Sequence, residues 1–129
     1  MKPGVSGSRW TTATRRLPRQ ISALHIGHDE AFFVISGELK FRIGEGYRTA
    51  VAGESVFASR GLAHGFSNPQ SQEARYLVAL TPSGYEFYFE RLAGLIRKHG
   101  AMPSQEELAR LMAEHGTFLA AQLRSSLGQ

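Results

Sequence analysis

Cysteine is absent from the 129 residues. That excludes a disulfide framework, a thiolate zinc site and a cysteine nucleophile. Long apolar runs are missing as well: nothing approaches the ~20 apolar residues that a membrane-crossing helix requires. The opening Met1-Lys2-Pro3-Gly4-Val5-Ser6-Gly7 lacks the apolar centre of a secretory leader. A soluble, cytoplasmic protein without a membrane partner is the expectation. Acidic residues are missing from positions 1–28, which carry Lys2, Arg9, Arg15, Arg16 and Arg19, so the formal net charge of +4 belongs to the N-terminal end. Aromatic side chains are not interleaved with these bases in the manner of a nucleic-acid surface, so a solvated arm is expected and no nucleic-acid partner.

What is present fits one domain. The composition is 42% hydrophobic with 14 glycines, enough for a single core and many turns. Residues 1–20 contain only Val5, Trp10 and Leu17 as large apolar side chains and read as a loose basic arm. From residue 21 onward the chain reads as one domain. Glu38-Leu39-Lys40-Phe41-Arg42-Ile43 alternates polar and apolar, the period of a strand with one wet and one buried face. Ala31-Phe32-Phe33-Val34-Ile35 is apolar on both faces and is joined to it through Ser36-Gly37, which predicts a hairpin whose first strand is covered on both sides. Further strands are expected over 47–51, 55–59, 64–67 and 74–80, a spacing that suggests a sandwich or barrel. The period then becomes helical. Ser83 with Glu86 has the form of a capping box, and Tyr85, Phe89, Leu92 and Ile96 recur up to Gly100. A second box, Ser104 with Glu107, opens a stripe of Leu108, Leu111 and Met112 that ends at Gly116. The helical region thus spans about 83–116.

Four residues suit metal chemistry: His25, His28, Glu30 and His64. Imidazole nitrogens and a carboxylate suit borderline divalent ions, and such a set leaves coordination positions open. In an uninterrupted strand His28 and Glu30 share a face and His25 points the other way. A hairpin loop over Ile26-Gly27-His28-Asp29 instead makes His25 and Glu30 cross-strand neighbours with His28 at the tip, and the turn-forming Gly27 and Asp29 favour this arrangement. Spacing alone is a weak signal and favours histidines that are merely polar surface or hydrogen-bonded core, with Glu30 starting a strand. His99 and His115 each precede a glycine at a helix end, where an imidazolium favours the helix dipole. Arg60 reads as a solvated turn residue or a contact for an anionic substrate.

Two segments carry a family resemblance. Glu30 followed by six residues and Gly37, within DEAFFVISGEL, resembles the second half of the first cupin motif. Gly53, Gly61, His64 and Asn68 stand at the spacing of the second motif, with Ser59 in place of its proline. The stretch TPSGYEFYFERL and the helix ending EHG resemble the extension of small quercetin dioxygenase-like cupins, so that the likeness spans roughly residues 22–119. The resemblance implies a mainly β fold, a cupin-type jelly-roll β-barrel with two C-terminal helices, and a homodimer. It implies a divalent metal (Fe, Mn, Ni or Zn) held by Glu30 and His64 together with the histidine pair of the first motif. That pair is incomplete here: taking His25 as its second member puts Ala23 first, and taking His25 as its first puts Gly27 second. The expected metal set is therefore His25, Glu30 and His64, with His28 as a fourth ligand. Phe32, Phe41, Phe66 and Tyr76 are expected to line the pocket. Two functions follow: a metal-dependent dioxygenase acting on an apolar or aromatic small molecule, or a non-catalytic cupin that binds a small ligand after losing part of its metal site. The family also supplies strands ahead of its first motif, which the apolar-poor arm is not expected to build.

Overall fold

The computed structural model describes residues 9–14 and 22–120. Nine strands and two helices follow one another among them. The strands are β1 (Arg9–Thr14), β2 (Ala23–His25), β3 (Asp29–Ser36), β4 (Glu38–Ile43), β5 (Gly46–Val51), β6 (Ser55–Ala58), β7 (His64–Ser67), β8 (Ala74–Thr81) and β9 (Thr117–Leu119). Helices α1 (Glu86–His99) and α2 (Gln105–Glu114) separate the last two strands. The alternation that predicts β4 has its structural counterpart: Leu39 and Phe41 are fully buried and Lys40 is exposed.

Consecutive strands are dealt between two antiparallel sheets. One has the order β1-β8-β3-β6 and the other β5-β4-β7-β2-β9. Phe32, Val34, Val56, Ala74 and Tyr76 from the first meet Leu39, Phe41 and Ala50 from the second in one core. The rings of Phe32 and Phe41 bridge the sheets with centroids 5.1 Å apart. This is the mainly β, jelly-roll-like cupin fold with two helices. No closed barrel forms among the described residues, because the two hydrogen-bonded sheets stay separate.

Several expectations are corrected. β3 and β4 do not form a hairpin: β3 pairs with β6 and β8, whereas β4 pairs with β5 and β7. Gly37 is the corner that transfers the chain between sheets. Its φ of +77° is open to glycine, and a Cβ there would stand 2.9 Å from the Ala74 Cα. β3 is covered on one face only, with Phe33 42% and Ile35 47% exposed on the other. The stretch read as a loose arm contains β1, whose pairing with β8 runs from Arg9↔Ala79 to Thr14↔Ala74; the rest of that arm lies outside the described residues. β1 is thus a strand in the arm, which was not expected to build one.

The first helix starts differently from the predicted capping box. Its N-cap is Tyr85, without a side-chain cap, and the Glu86 carboxylate accepts from the Gly84 N–H at 2.6 Å instead. Gly100 ends α1 as expected, in the left-handed region, donating its N–H to the Ile96 carbonyl. The Ser104–Glu107 box is complete, with both reciprocal bonds made. Arg91 of α1 pairs with Glu114 of α2. At its end the chain returns to the five-stranded sheet as β9, an element that the sequence reading does not contain.

Phe41→Ala is expected to cost about 3–5 kcal/mol by leaving a cavity at the sheet interface. Gly37→Ala should cost more than about 1 kcal/mol through its backbone conformation, while Gly27→Ala, with open space around it, stays within about 0.5 kcal/mol. Urea unfolding of the three variants checks this ranking.

Candidate metal centre

The candidate ligands come from three strands and one loop. β2 and β7 are neighbours through Ala23↔His64, so His25 and His64 project from adjacent strands of the five-stranded sheet. Glu30 projects from β3 of the opposite sheet. His25 and Glu30 are consequently not cross-strand neighbours, as the hairpin reading had it; the cross-strand partner of His25 is Thr117. Nor is His28 an exposed loop tip, being 4% exposed. Its imidazole is held inside by the Glu30 carboxylate and between the rings of His25 and Tyr85.

Around the Glu30 carboxylate the three imidazoles converge. His64 Nε2 lies 2.8 Å from Oε2, while His28 Nε2 and His25 Nε2 lie 3.3 and 3.4 Å from Oε1. One ligand atom each from His25, Glu30 and His64 fits within 4.8 Å of the others. His28 stands beside this set, its ring 4.2 Å from that of His25 and 4.3 Å from that of Tyr85. The far nitrogens are occupied. His64 Nδ1 meets the Leu62 carbonyl at 3.0 Å, and His25 Nδ1 meets Thr117 Oγ1 at 2.8 Å. Thr117 Oγ1 in turn lies 2.7 Å from the Tyr85 hydroxyl.

A carbonyl only accepts, so His64 Nδ1 carries a proton and donates it to Leu62. A neutral His64 then presents the lone pair of Nε2 to a carboxylate oxygen at 2.8 Å, acceptor against acceptor. A cation between them removes the conflict, either a proton on His64 or a metal ion. The residues present therefore fit a divalent metal with N/O ligands, and the Nδ1 partners are of the kind that orient metal-bound imidazoles.

The electrostatics agree. Burial pushes the Glu30 carboxyl up, but hydrogen bonds from His28 and His64 and the charges of the histidines outweigh it and hold the pKa down at about 2. Burial is also the largest influence on His64, yet its bonds to Glu30 and Leu62 win and raise it above the ordinary value of 6.5. Burial dominates at His25 and lowers it to about 4. Near neutrality the site holds an ionised Glu30 and a neutral His25. Glu30 stabilises the fold above its ordinary pKa of 4.5, and that contribution is lost as the pH falls towards about 2.

Two apolar cavities meet at this centre. One, of about 410 Å³, is lined by Glu30, Phe32, Phe66, Tyr76, Val78, Leu80 and Phe89. The other, of about 390 Å³, includes His25, Glu30, His64, Tyr85, Tyr88 and Phe89 in its lining. Phe32, Phe66 and Tyr76 line the first of these cavities. Phe41 does not: it is fully buried behind the wall, 5.9 Å from Phe66 between ring centroids. Thr117, Tyr85 and Asp29 were missed. Asp29 accepts from the Arg60 side chain at 3.2 and 3.0 Å and from its backbone at 2.7 Å, tying the loop before β7 to the start of β3. Arg60 is therefore a structural partner of Asp29. His115 donates from Nδ1 to the Leu111 carbonyl at 2.9 Å, closing α2 as a terminal histidine can.

Residues 18–80 match the model of the Cupin domain family. No curated protein matches the chain. Among solved structures it is similar to a double-stranded β-helix domain protein from Klebsiella pneumoniae, with 21% identity over 61% of this chain and 70% of that one and a TM-score of 0.55. It is similar to an RmlC-like cupin from Shewanella frigidimarina, at 17% identity over 64% and 71%, with a TM-score of 0.56. A recombinant oxalate oxidase in complex with glycolate matches at 23% identity over 62% and 44%, with a TM-score of 0.55. The chain spans less than half the length of that oxidase, and at such identities the likeness shows the fold. The match over residues 18–80 and the neighbours together support the cupin fold. No helix among the described residues is long and apolar enough to cross a membrane.

Glu30→Gln should lower the pKa of His64, because the burial that opposes its charge persists while the anion is gone. An NMR titration of the imidazole reads this directly; a His64 pKa unchanged from wild type contradicts the pairing.

Proposed function

We propose that this chain is a small metal-dependent enzyme of the cupin fold, an oxygenase acting on an apolar or aromatic small molecule. The observation that carries the reading is a His25, Glu30 and His64 cluster opening onto a wall of Phe32, Phe66, Tyr76 and Phe89. His25, Glu30 and His64 hold the ion, and His28, beside Glu30, is available as a fourth ligand. A bound iron, manganese, nickel or zinc ion supplies Lewis acidity, and a redox-active one also electron transfer to dioxygen. The rest is the work of the chain. Glu30 anchors the site with both oxygens, and the aromatic wall excludes water and orients a flat ring over the carboxylate. A cavity of about 410 Å³ is in the range of ordinary small-molecule pockets.

Charge argues for the substrate class. Among the described residues that line the two cavities there is no lysine or arginine. Away from the ion itself the walls offer an anion no cationic side chain and are mostly aromatic and aliphatic, so an uncharged apolar ligand fits the lining better than a small anion such as the glycolate of the oxalate oxidase complex. The homodimer expected from the sequence belongs to this proposal too. Its support is the exposed outer face of the four-stranded sheet, where Phe33, Ile35 and Phe57 are 42, 47 and 62% exposed.

Purified without chelator, the chain should carry a single divalent ion that Glu30→Gln and His64→Ala lose. A chain that stays metal-free in iron, manganese, nickel and zinc supplements overturns the enzyme reading. Val78→Trp, which fills the cavity, should weaken the binding of aromatic ligands about tenfold or more while leaving the metal content intact. Ligand binding that survives Glu30→Gln at full strength favours a non-catalytic binding cupin instead.

A further inference from the structure

The residue that sets the orientation of His25 lies 92 positions away in the sequence. Thr117 opens β9, directly opposite His25 in the register β2–β9, and is 2% exposed. Its hydroxyl is the middle of a three-member chain: His25 Nδ1 at 2.8 Å on one side and the Tyr85 hydroxyl at 2.7 Å on the other. A hydroxyl brings one proton and two lone pairs, and when each member of the chain donates to the next it can run in either of two directions. In one, Tyr85 donates to Thr117, Thr117 donates to His25 Nδ1, and the imidazole proton sits on Nε2 facing Glu30. In the other, His25 donates from Nδ1 to Thr117, Thr117 donates to Tyr85, and Nε2 presents a bare lone pair to the centre.

Only the second direction makes His25 a metal ligand. We infer that Thr117 is a positioning residue that holds His25 in its Nδ1–H form, with Tyr85 taking the threonine proton, so that β9 and the residue before α1 complete the metal centre. This inference rests on the metal-binding reading above. It also gives the C-terminal extension a task beyond packing. β2 is three residues long and touches β7 through a single register pair, whereas it makes three with β9. Without β9 the strand that carries His25 has little to hold it, and the imidazole has no partner at Nδ1. When Thr117 donates to Tyr85, the Tyr85 hydroxyl proton is released from that bond on a side chain that lines the cavity of about 390 Å³.

The test is Co²⁺ titration of the full chain by competition with a chelating dye, with the visible absorption of the bound ion recorded alongside. Wild type, Thr117→Val, Thr117→Ser and Tyr85→Phe are compared at one pH near neutrality. Thr117→Val should weaken Co²⁺ binding by about 10–100-fold, the usual loss when the outer partner of a metal-bound histidine is removed, and should shift the absorption band. Thr117→Ser should restore affinity and band. Tyr85→Phe should give a smaller loss, since Thr117 still accepts from His25. A folded Thr117→Val chain with wild-type affinity and spectrum overturns the inference and leaves the metal reading standing; a wild-type chain that binds no Co²⁺ removes the metal reading and the inference with it. A second measurement needs no variant. In the Zn²⁺-loaded wild type, ¹⁵N spectra should place the His25 proton on Nδ1, protected from exchange, and a proton on Nε2 would refute the assignment.

Discussion

Glu30 is an ionised carboxylate set in the seam between two β-sheets, and its presence there constrains everything around it. Burial by itself would favour the neutral acid. Three imidazoles reaching its oxygens from 2.8 to 3.4 Å reverse that preference and keep the charge. The anion can be buried only if strands from both sheets and the intervening loop deliver nitrogen atoms to one place. Asp29 and Arg60 fix the position of two of these segments, and the Gly61 N–H donates to the His25 carbonyl at 2.7 Å. The loops at this end of the sandwich are thus built around a charge. The surplus of acceptors that results is what makes the place suited to a cation.

The surroundings divide sharply by polarity. On the side of β3 and β8 the carboxylate faces rings and aliphatic chains, and the polar groups in the linings beyond the histidines are Thr117 and the hydroxyls of Tyr76, Tyr85 and Tyr88. The helical extension contributes Tyr85, Tyr88 and Phe89 as one ring cluster, with Tyr85 and Tyr88 stacked 5.1 Å apart. This cluster covers the histidines from outside while β9 braces His25 from within the sheet. The extension is therefore part of the site's construction on both counts, although no residue in it belongs to the His25, Glu30 and His64 set.

Much of the local structure was legible. The strict alternation of Glu38–Ile43 specifies a half-buried strand wherever it lies, and the Ser104–Glu107 pair caps its helix with its own side chains. Ser83 with Glu86 has the same pattern and a different outcome, because Glu86 finds the Gly84 N–H first. The hairpins were not legible. Ser36-Gly37 and Ile26–Asp29 look like local reversals, yet each passes the chain from one sheet to the other. The short connection permits both routes, and the choice is made by the burial of Phe32, Val34, Leu39 and Phe41 against one another. Phe41 was assigned to the pocket for the same reason that it belongs in the core: an inward-facing aromatic on a strand looks identical in sequence whether the space before it is filled or open.

The sequence by itself determined the chemistry on offer, since the absence of cysteine leaves nitrogen and oxygen donors for the site, and the resemblance of Glu30, Gly37, Gly53, Gly61, His64 and Asn68 to the family motifs implies a cupin scaffold. It also determined most strand and helix positions, because periodicity and caps act over a few residues. Which histidines meet Glu30 was decided by the tertiary structure, through sheet pairings that join Ala23 to His64 and His25 to Thr117. Those contacts bridge tens of residues. Their free energy comes from burying faces that belong to different sheets, and no local pattern records which faces will meet.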